Sequence, residues 1–434
     1  MPYTIVIYPI LFLVFPRLWN VCHKHGYITA ADFVKGRFGN RWLALAVTLT
    51  GIVATMPYIA LQLLGIQVVL GALGIGGSGL AADLPLVIAF VILAAFTYSS
   101  GLRAPASIAI VKDLLIYITA FAAIIVVPMQ LGGFGKIFAA VPAAKVLLAA
   151  PGPHTTGAYG AYATLALGSA LALFLYPHSL TGILSASSGH AIRRNAAMLP
   201  GYSLMLGMLA LLGFFAIAGG LNHLPEFADG FKAYGNNFAV PALFLHHFPS
   251  WFVGIAFAAI GIGALVPSAI MSIAAANLYT RNIHREFINP NVSGRQESQI
   301  AKWVSLVVKF GALVFIIFVP TQYAIQLQLL GGIWIIQTLP AVLLGAYTRW
   351  FDGWALTIGW AAGTIAGTWM AVAAHLTSTY PLAVGDWTFP GYSALYTVIL
   401  NLVVVVVLTP LFRSMKGRAE GADGTVEADY HAAG

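Results

Sequence analysis

Charged residues are scarce in this sequence. Asp, Glu, Lys and Arg make up 8% of its 434 residues, whereas soluble globular domains carry about 25%. Hydrophobic residues make up 60%. Because so few charges cannot cover a surface in water, the composition excludes a soluble globular domain and predicts that lipid surrounds most of the chain.

Cysteine and several catalytic motifs are also missing. Cys22 is the single cysteine, which excludes a disulfide framework within one chain. The sequence contains no P-loop, so no ATP-driven motor of that class is expected. It also lacks HExxH, CxxC and GxSxG, the motifs of zinc hydrolases, thiol redox proteins and serine hydrolases. We therefore predict that the chain is not an enzyme and uses no organic cofactor.

Long hydrophobic runs account for most of the chain. A membrane-spanning helix needs about 20 apolar residues, and eleven runs approach or exceed that length. The sequence thus predicts an all-α, polytopic membrane protein with about 11 transmembrane helices in residues 1–413. The polar, Gly- and Ala-rich residues 414–434 are predicted to form a disordered cytoplasmic tail. The predicted spans are 3–20, 42–72, 84–101, 106–130, 158–185, 193–219, 250–281, 300–320, 323–347, 353–375 and 393–413.

The basic residues are unevenly distributed between the predicted loops. If residue 1 lies outside, 17 of the 21 Lys and Arg fall on inside ends and loops, Lys136, Lys145 and Lys232 fall outside, and Lys309 lies within a span. Cytoplasmic loops are enriched in Lys and Arg. We therefore predict a multi-pass protein of the cell inner (plasma) membrane, with its N-terminus outside and its C-terminus cytoplasmic. The net charge of +8 then reflects topology, and no nucleic-acid partner is expected.

The fifth predicted span is interrupted by polar residues and a proline. It contains the segment Tyr176-Pro177-His178-Ser179-Leu180-Thr181-Gly182. Pro177 removes a helical hydrogen bond and disfavours helical angles at the preceding residue. One interpretation is a discontinuous transporter helix, whose free backbone groups bind a solute together with Tyr176, His178, Ser179 and Thr181. The other is a proline kink whose side chains bond to neighbouring helices, and the sequence favours neither.

Further polar groups lie in the second and seventh spans. Gln62 is a polar residue in the second span that could either face a solute or form a hydrogen bond between helices. In the seventh span, Pro267 frees the carbonyl of Gly263 and disturbs the turn around Ala264. Ser268 and Ser272 share a helix face, and carbonyl and hydroxyl oxygens suit a hard cation such as Na⁺. The alternative is a packing face of small residues, which is common between membrane helices.

Several short motifs, in order along the chain, resemble those of one transporter family. Residues 29–38, from Thr29 through Asp32 to Arg37, resemble the T-x-x-(D/E)-(F/Y)-x-x-x-R-(F/Y) segment of the sodium:solute symporter family. Residues 101–104 followed by Asp113, the seventh span and residues 282–285 are similar to later segments of that family. Within it, residues 3–9 and 174–178 resemble bacterial monocarboxylate permeases.

The resemblance implies a LeuT-type fold of two inverted five-helix repeats, with the solute bound at mid-membrane. It implies a cation-coupled secondary symporter for a small organic anion, such as lactate, pyruvate or acetate. Ala264 matches the position that offers a backbone carbonyl to Na⁺, and Ser268 matches one of two hydroxyl positions. Pro267 occupies the other, which makes this a partial Na⁺ site and leaves H⁺ coupling through His178 as an alternative.

The family typically has thirteen spans, and the loop that carries the motif seen here at residues 29–38 normally follows the third span. Here that loop follows the first predicted span, so we expect that the chain lacks the first two transmembrane helices. Two further hypotheses follow, one from this expectation and one from family relatives that are fused to signalling kinases. The chain could be an N-terminally truncated, inactive fragment, or it could be a transporter-like solute sensor.

Overall fold

A computed structural model describes residues 2–75, 84–100, 103–318, 324–416 and 423–431. Almost all of these residues form helices, as the hydrophobic runs predict. Gly101 and Leu102, which begin one of the family-like motifs, fall outside the described residues.

The long helices coincide with the predicted spans. Within the described part of the chain, nine helices are long and apolar enough to cross a membrane, and a bent helix pair makes a tenth. The predicted span at 84–101 corresponds to a shorter apolar helix. The helices that coincide with the eleven predicted spans are α1 (Pro2–His25), α3 (Arg41–Ala72), the shorter α4 (Leu84–Ser100), α5 (Arg103–Gln130), the pair α8 (Gly157–Leu173) and α9 (Pro177–Leu184), α10 (Gly189–Ala218), α13 (Ser250–Tyr279), α14 (Gly294–Phe318), α15 (Ala324–Ile335) with α16 (Leu339–Val342), α17 (Gly353–Ala373) and α18 (Ser393–Lys416).

Shorter elements connect the spans. They are α2 (Ala30–Phe38), α6 (Phe134–Ala140), α7 (Ala143–Val146), α11 (Ala228–Tyr234), α12 (Ala239–His247) and a two-stranded antiparallel sheet of β1 (Thr379–Val384) and β2 (Trp387–Tyr392). Helix α2 begins with a capping box, in which the Thr29 hydroxyl accepts from the Asp32 N–H and the Asp32 carboxylate accepts from the Thr29 N–H. This arrangement satisfies two N–H groups that a helix start otherwise leaves unbonded.

Helix α3 lies at the centre of the helix bundle. It packs against α13, α14 and α15, and also against α2 and α4. Outer helices instead expose large apolar side chains, for example Leu13 (66% exposed), Ile317 (62%) and Val407 (65%). Patches of this kind on a soluble monomer would be unusual, so their distribution fits helices that face lipid.

The predicted interruption of the fifth span is confirmed. Helices α8 and α9 meet at an angle of 51°, and Tyr176 has extended backbone angles of φ −59° and ψ 138°. Pro177 then occupies the first turn of α9, where its missing N–H costs no hydrogen bond. The seventh span differs, because α13 continues through Pro267 without a break and passes into a π-helix at Thr280–Ile288.

The prediction that residues 414–434 are disordered is wrong for part of that range. Residues 414–416 complete α18, and Asp423–His431, here called the tail segment, docks against the ends of α1 and α2 and the loop before α17. Residues 417–422 and 432–434 lie outside the described part. The tail segment's ion pairs join Asp423 to Arg37 and Arg349, Glu427 to Arg17, and Asp429 to Lys24 and His25.

The tail segment is held by burial as well as by charge. Tyr430 is 3% exposed, and the guanidinium carbon of Arg17 lies 4.9 Å from the centre of its ring. The Gly424 N–H donates to the carbonyl of Gly36 at 2.8 Å. The polar composition of the segment predicts disorder. Its carboxylates neutralise basic residues far away in the sequence, and composition alone gives no signal for such contacts.

Candidate solute and cation sites

The break between α8 and α9 is fixed to the neighbouring helix α15 by tyrosine hydroxyls. Tyr176 is 3% exposed, and its hydroxyl donates to the carbonyl of Gln328 at 3.0 Å. The hydroxyl of Tyr392, the last residue of β2, donates to the next carbonyl, that of Leu329, at 2.6 Å. Each bond satisfies a polar group that would be costly to leave unpaired in a membrane. The two tyrosines therefore fix the position of α15 beside the break.

Glycines allow this close approach of α15. A Cβ added at Gly331 would lie 2.6 Å from the carbonyl oxygen of Ala54 in α3 and 2.9 Å from the Tyr176 hydroxyl. A Cβ at Gly332 would collide with the hydroxyl of Tyr392. Only glycine fits at either position without movement of its neighbours. The Gly331-Gly332 pair lies in the ninth predicted span, and two adjacent glycines there are the sequence signal for this contact.

Three aromatic side chains gather at the start of α9. The ring of Tyr58, from α3, lies 5.4 Å from the rings of Tyr176 and His178, and the latter two are 5.6 Å apart. We call these residues the aromatic triad. Atom Nδ1 of His178 is buried and has no hydrogen-bond partner within the described part of the chain. An unpaired buried nitrogen carries a free-energy cost unless another group binds it, so the triad offers an unused polar atom among apolar rings.

The remaining predicted solute residues lie around this triad but do not bond to it. Gln62 is half-buried one turn beyond Tyr58 on α3, and Ser179 is half-buried in the first turn of α9. Neither side chain forms a hydrogen bond with another described residue. Thr181 lines a narrow pocket, together with Leu278 and Thr338. The pocket is also bordered by α2, α3, α13 and the segment after α15. This pocket admits about one water molecule.

Tyr58 was missed by the sequence analysis. It follows Pro57 within the second predicted span, and an aromatic residue with a hydroxyl beside a proline is a recognisable signal. The sequence also could not show that α3 brings it to Tyr176 and His178, since the triad spans more than a hundred residues of chain.

The two predicted cation ligands are adjacent in α13. The hydroxyl of Ser268 donates to the carbonyl of Ala264 at 2.6 Å, and both residues are buried, at 0% and 6% exposure. The hydroxyl of Ser272 donates separately to the carbonyl of Ala269 at 3.0 Å. Ala264 also packs beside Gly65 of α3. These two oxygens could contribute at most two ligands to a hard cation, which needs more.

Other polar residues inside the membrane bond to each other between helices. Gln337 donates to the Thr397 hydroxyl at 2.9 Å, and Asn401 donates to the Gln337 side-chain oxygen at 3.1 Å. These bonds join α18 to the segment after α15, and they account for two amides that could otherwise have been taken for solute ligands.

Comparison with known proteins identifies the family. The profile of the sodium:solute symporter family matches residues 1–353. This chain belongs to the sodium:solute symporter family. Membership makes it a membrane transporter with multiple spans, driven by a coupling cation.

Two relatives illustrate the match. A protein of Rhizobium johnstonii described as a monocarboxylate transport permease is 51% identical over 412 residues, which cover 95% of this chain and 81% of the relative. The uncharacterized symporter YodF of Bacillus subtilis is 30% identical over 419 residues, covering 95% of this chain and 78% of the relative. With identity extending over so much of this symporter, the inactive-fragment and sensor hypotheses are not favoured.

A solved structure confirms the fold. A Na⁺-coupled sialic acid symporter in a substrate-bound, outward-open state superposes with a TM-score of 0.71 at 16% identity, over 94% of this chain and 82% of that one. The predicted LeuT-type transporter fold is therefore confirmed. Membership of this family also supports Na⁺ as the coupling ion.

Proposed function

We propose that this symporter carries a short monocarboxylate, such as lactate, pyruvate or acetate, together with Na⁺. The observation that carries the proposal is the break at Tyr176-Pro177, where the backbone leaves the helix beside the aromatic triad. The first N–H groups of α9 have no helical partner, and the positive end of the helix dipole favours a carboxylate there. The apolar rings of the triad suit the short alkyl part of such a solute. The permease name of the Rhizobium johnstonii relative supports the same solute class.

The proposed solute ligands are Tyr176, His178, Ser179, Thr181 and Gln62, and the proposed cation ligands are Ala264 and Ser268. Both groups border α3, so a shift of α3 against α9 or α13 would affect both. Coupling requires that solute and cation each favour the same state of the transporter, because only differential affinity moves that equilibrium.

Proton coupling through His178 is the second candidate. The observation that favours it is the unpaired, buried Nδ1 of His178, together with Pro267 at a position where the family offers a hydroxyl. Imidazole is the side chain whose ordinary pKa lies nearest to physiological pH. In this case the solute would enter with H⁺, and His178 would hold the proton beside the carboxylate.

Uptake into proteoliposomes tests the proposal. Radiolabelled lactate, pyruvate and acetate are offered with a Na⁺ gradient, with a pH gradient and with neither. Ser268→Ala is expected to raise the Na⁺ concentration for half-maximal uptake about tenfold, since one oxygen ligand is lost, while Ser272→Ala on the same helix serves as the matched control. Uptake that keeps its full Na⁺ response in Ser268→Ala would contradict the cation site. Uptake driven by the pH gradient alone, and lost in His178→Gln, would establish the proton candidate instead.

The proposed orientation has the N-terminus outside and the C-terminus cytoplasmic, in the inner (plasma) membrane. The 17 basic residues on one set of loops and ends support it. The orientation is tested by labelling whole cells with an impermeant maleimide. One variant carries an introduced Cys at Lys145, and a second carries a Cys at Arg295 as the control for the opposite side. Labelling of position 295 but not 145 would reverse the orientation.

A further inference from the structure

A basic pocket lies where two spanning helices end. It is lined by Asp32 and Lys35 of α2, Arg41 at the start of α3, and Arg281, Arg285 and Glu286 in the π-helix after α13. Its volume is about 280 Å³. The helical spans Arg41–Ala72 and Ser250–Ile288 both terminate here, so the pocket lies at the level where a membrane meets water.

The floor of the basic pocket is electrically balanced. Asp32 lies 3.2 Å from the Nε of Arg281 and accepts a hydrogen bond of 2.7 Å from the Asn282 amide. Glu286 pairs with Lys35 across the pocket. These contacts use both carboxylates and two of the four cationic groups, and they fix the positions of α2 and the π-helix relative to each other.

Two arginines remain in excess. Arg41 and Arg285 are exposed, and neither has a carboxylate partner among the residues that the structure describes. The pocket therefore carries an excess of two positive charges over its two carboxylates. Positive charge held together in a concave site attracts an anion of matching charge, and guanidinium groups bind phosphate through paired N–H donors.

An apolar rim surrounds the Arg41 side of the pocket. The guanidinium carbon of Arg41 lies 5.2 Å from the Trp42 ring centre and 5.8 Å from that of Phe287, and these rings are 6.0 Å apart. Trp42, Phe287 and Ile288 are 46%, 37% and 59% exposed. Exposed tryptophan at the end of a spanning helix is typical of the membrane interface. A soluble anion would leave this apolar rim exposed, whereas the acyl chains of a lipid would cover it.

We propose that the basic pocket binds the phosphate of an anionic phospholipid, with Arg41 and Arg285 as its phosphate ligands and Trp42 and Phe287 against its acyl chains. The pocket joins α2 to the end of α13, so a bound lipid would brace these two elements. Basic pockets between spanning helices are suited to such headgroups. This site is separate from the aromatic triad and from the Ala264–Ser268 pair.

Native mass spectrometry of the purified full chain tests the proposal. The probes are phosphatidylglycerol and phosphatidylcholine with identical acyl chains, and inorganic phosphate. The unmodified chain is expected to retain phosphatidylglycerol in preference to phosphatidylcholine. Arg41→Gln combined with Arg285→Gln should lower phosphatidylglycerol affinity about 30-fold, which is roughly fivefold for each basic residue near an anionic surface. Arg194→Gln, an exposed arginine outside the pocket, is the control and should change the affinity less than twofold.

A second double variant separates charge from folding. Arg41→Lys with Arg285→Lys keeps both charges and should retain more than a third of the affinity, while size-exclusion and thermal unfolding profiles check that each variant is folded. Equal retention of the two lipids by the unmodified chain would overturn the proposal. So would unchanged phosphatidylglycerol affinity in the folded glutamine variant. Displacement of phosphatidylglycerol by equimolar inorganic phosphate would overturn the lipid assignment in favour of a soluble anion.

Discussion

Removing the charge of Asp429 should release the tail segment from the helix bundle. Asp429 is 3% exposed and accepts hydrogen bonds from Lys24 at 2.6 Å, His25 at 2.8 Å and the Val426 N–H at 2.8 Å. Hydrogen bonds to a charged group contribute about 1.5–3 kcal/mol each, but the Lys24 side chain is 59% exposed, which reduces its share to 1 kcal/mol or less. Asp429→Asn keeps an acceptor for Val426 and loses the charge. We therefore expect a loss of about 2 kcal/mol, or roughly a 30-fold rise in the detached fraction.

Proteolysis with a glutamate-specific protease measures that fraction. Cleavage after Glu427 requires the turn Glu427–Tyr430 to leave its docking site, and its rate follows the detached population when docking is fast. The rate should rise about 30-fold in Asp429→Asn. Asp386→Asn, in the exposed loop of the β-hairpin, removes the same charge elsewhere and should leave the rate unchanged. A rate within twofold of the unmodified chain in Asp429→Asn would refute the reasoning.

The same contact has a defined pH dependence. The hydrogen bond from Lys24, then those from the Val426 N–H and His25, holds the pKa of the Asp429 carboxyl below its ordinary value. A carboxyl with a depressed pKa stabilises the docked form at every pH above its undocked value, about 3.9, and loses that contribution as the pH falls further towards the depressed pKa. Cleavage after Glu427 should therefore not increase between pH 7 and pH 5 through Asp429.

Two further predictions concern the α8–α9 break. Gly331→Ala should lower the thermal unfolding temperature markedly, because its Cβ would lie 2.6 Å from the Ala54 carbonyl oxygen. The control Gly213→Ala has open space around it and should leave that temperature unchanged. Equal effects of the two variants would contradict the close approach of α15 and α3. Tyr176→Phe should lower the free energy of unfolding, measured with denaturant, by about 1–3 kcal/mol, since the Gln328 carbonyl loses its donor. The control is Tyr159→Phe, at an exposed tyrosine. A loss no larger than that of the control would show that the Tyr176 bond contributes nothing to stability.

The spans and the α8–α9 break could be predicted because their signals are local. A run of about 20 apolar residues defines a span without reference to the rest of the chain, and Pro177 acts on its own turn and on Tyr176. Proline alone is not decisive, however. Pro267 leaves α13 continuous, although it removes the bond to the Gly263 carbonyl and the Ser268 hydroxyl bonds to the carbonyl of Ala264 instead.

The features that were missed depend on distant contacts. The triad needs α3 to bring Tyr58 to the start of α9, and the docking of the tail segment needs carboxylates to meet arginines more than 300 residues away. Neither contact has a local periodic signal. The β-hairpin was missed although its turn is local: Gly385-Asp386 joins the paired residues Val384 and Trp387, and Gly385 has the positive φ of 58° that such turns favour.

The docked tail segment has a consequence for how the chain is made. Arg17 and its partner Glu427 are 410 residues apart, so at about 5–20 residues per second the ribosome supplies the second roughly 20–80 s after the first. During that interval the basic residues of α1 and α2 carry their full positive charge. Insertion machinery reads Lys and Arg next to the early helices when it sets orientation. The acidic residues that later neutralise this charge are therefore still unmade while α1 and α2 are synthesised, and they cannot screen these basic residues at that stage.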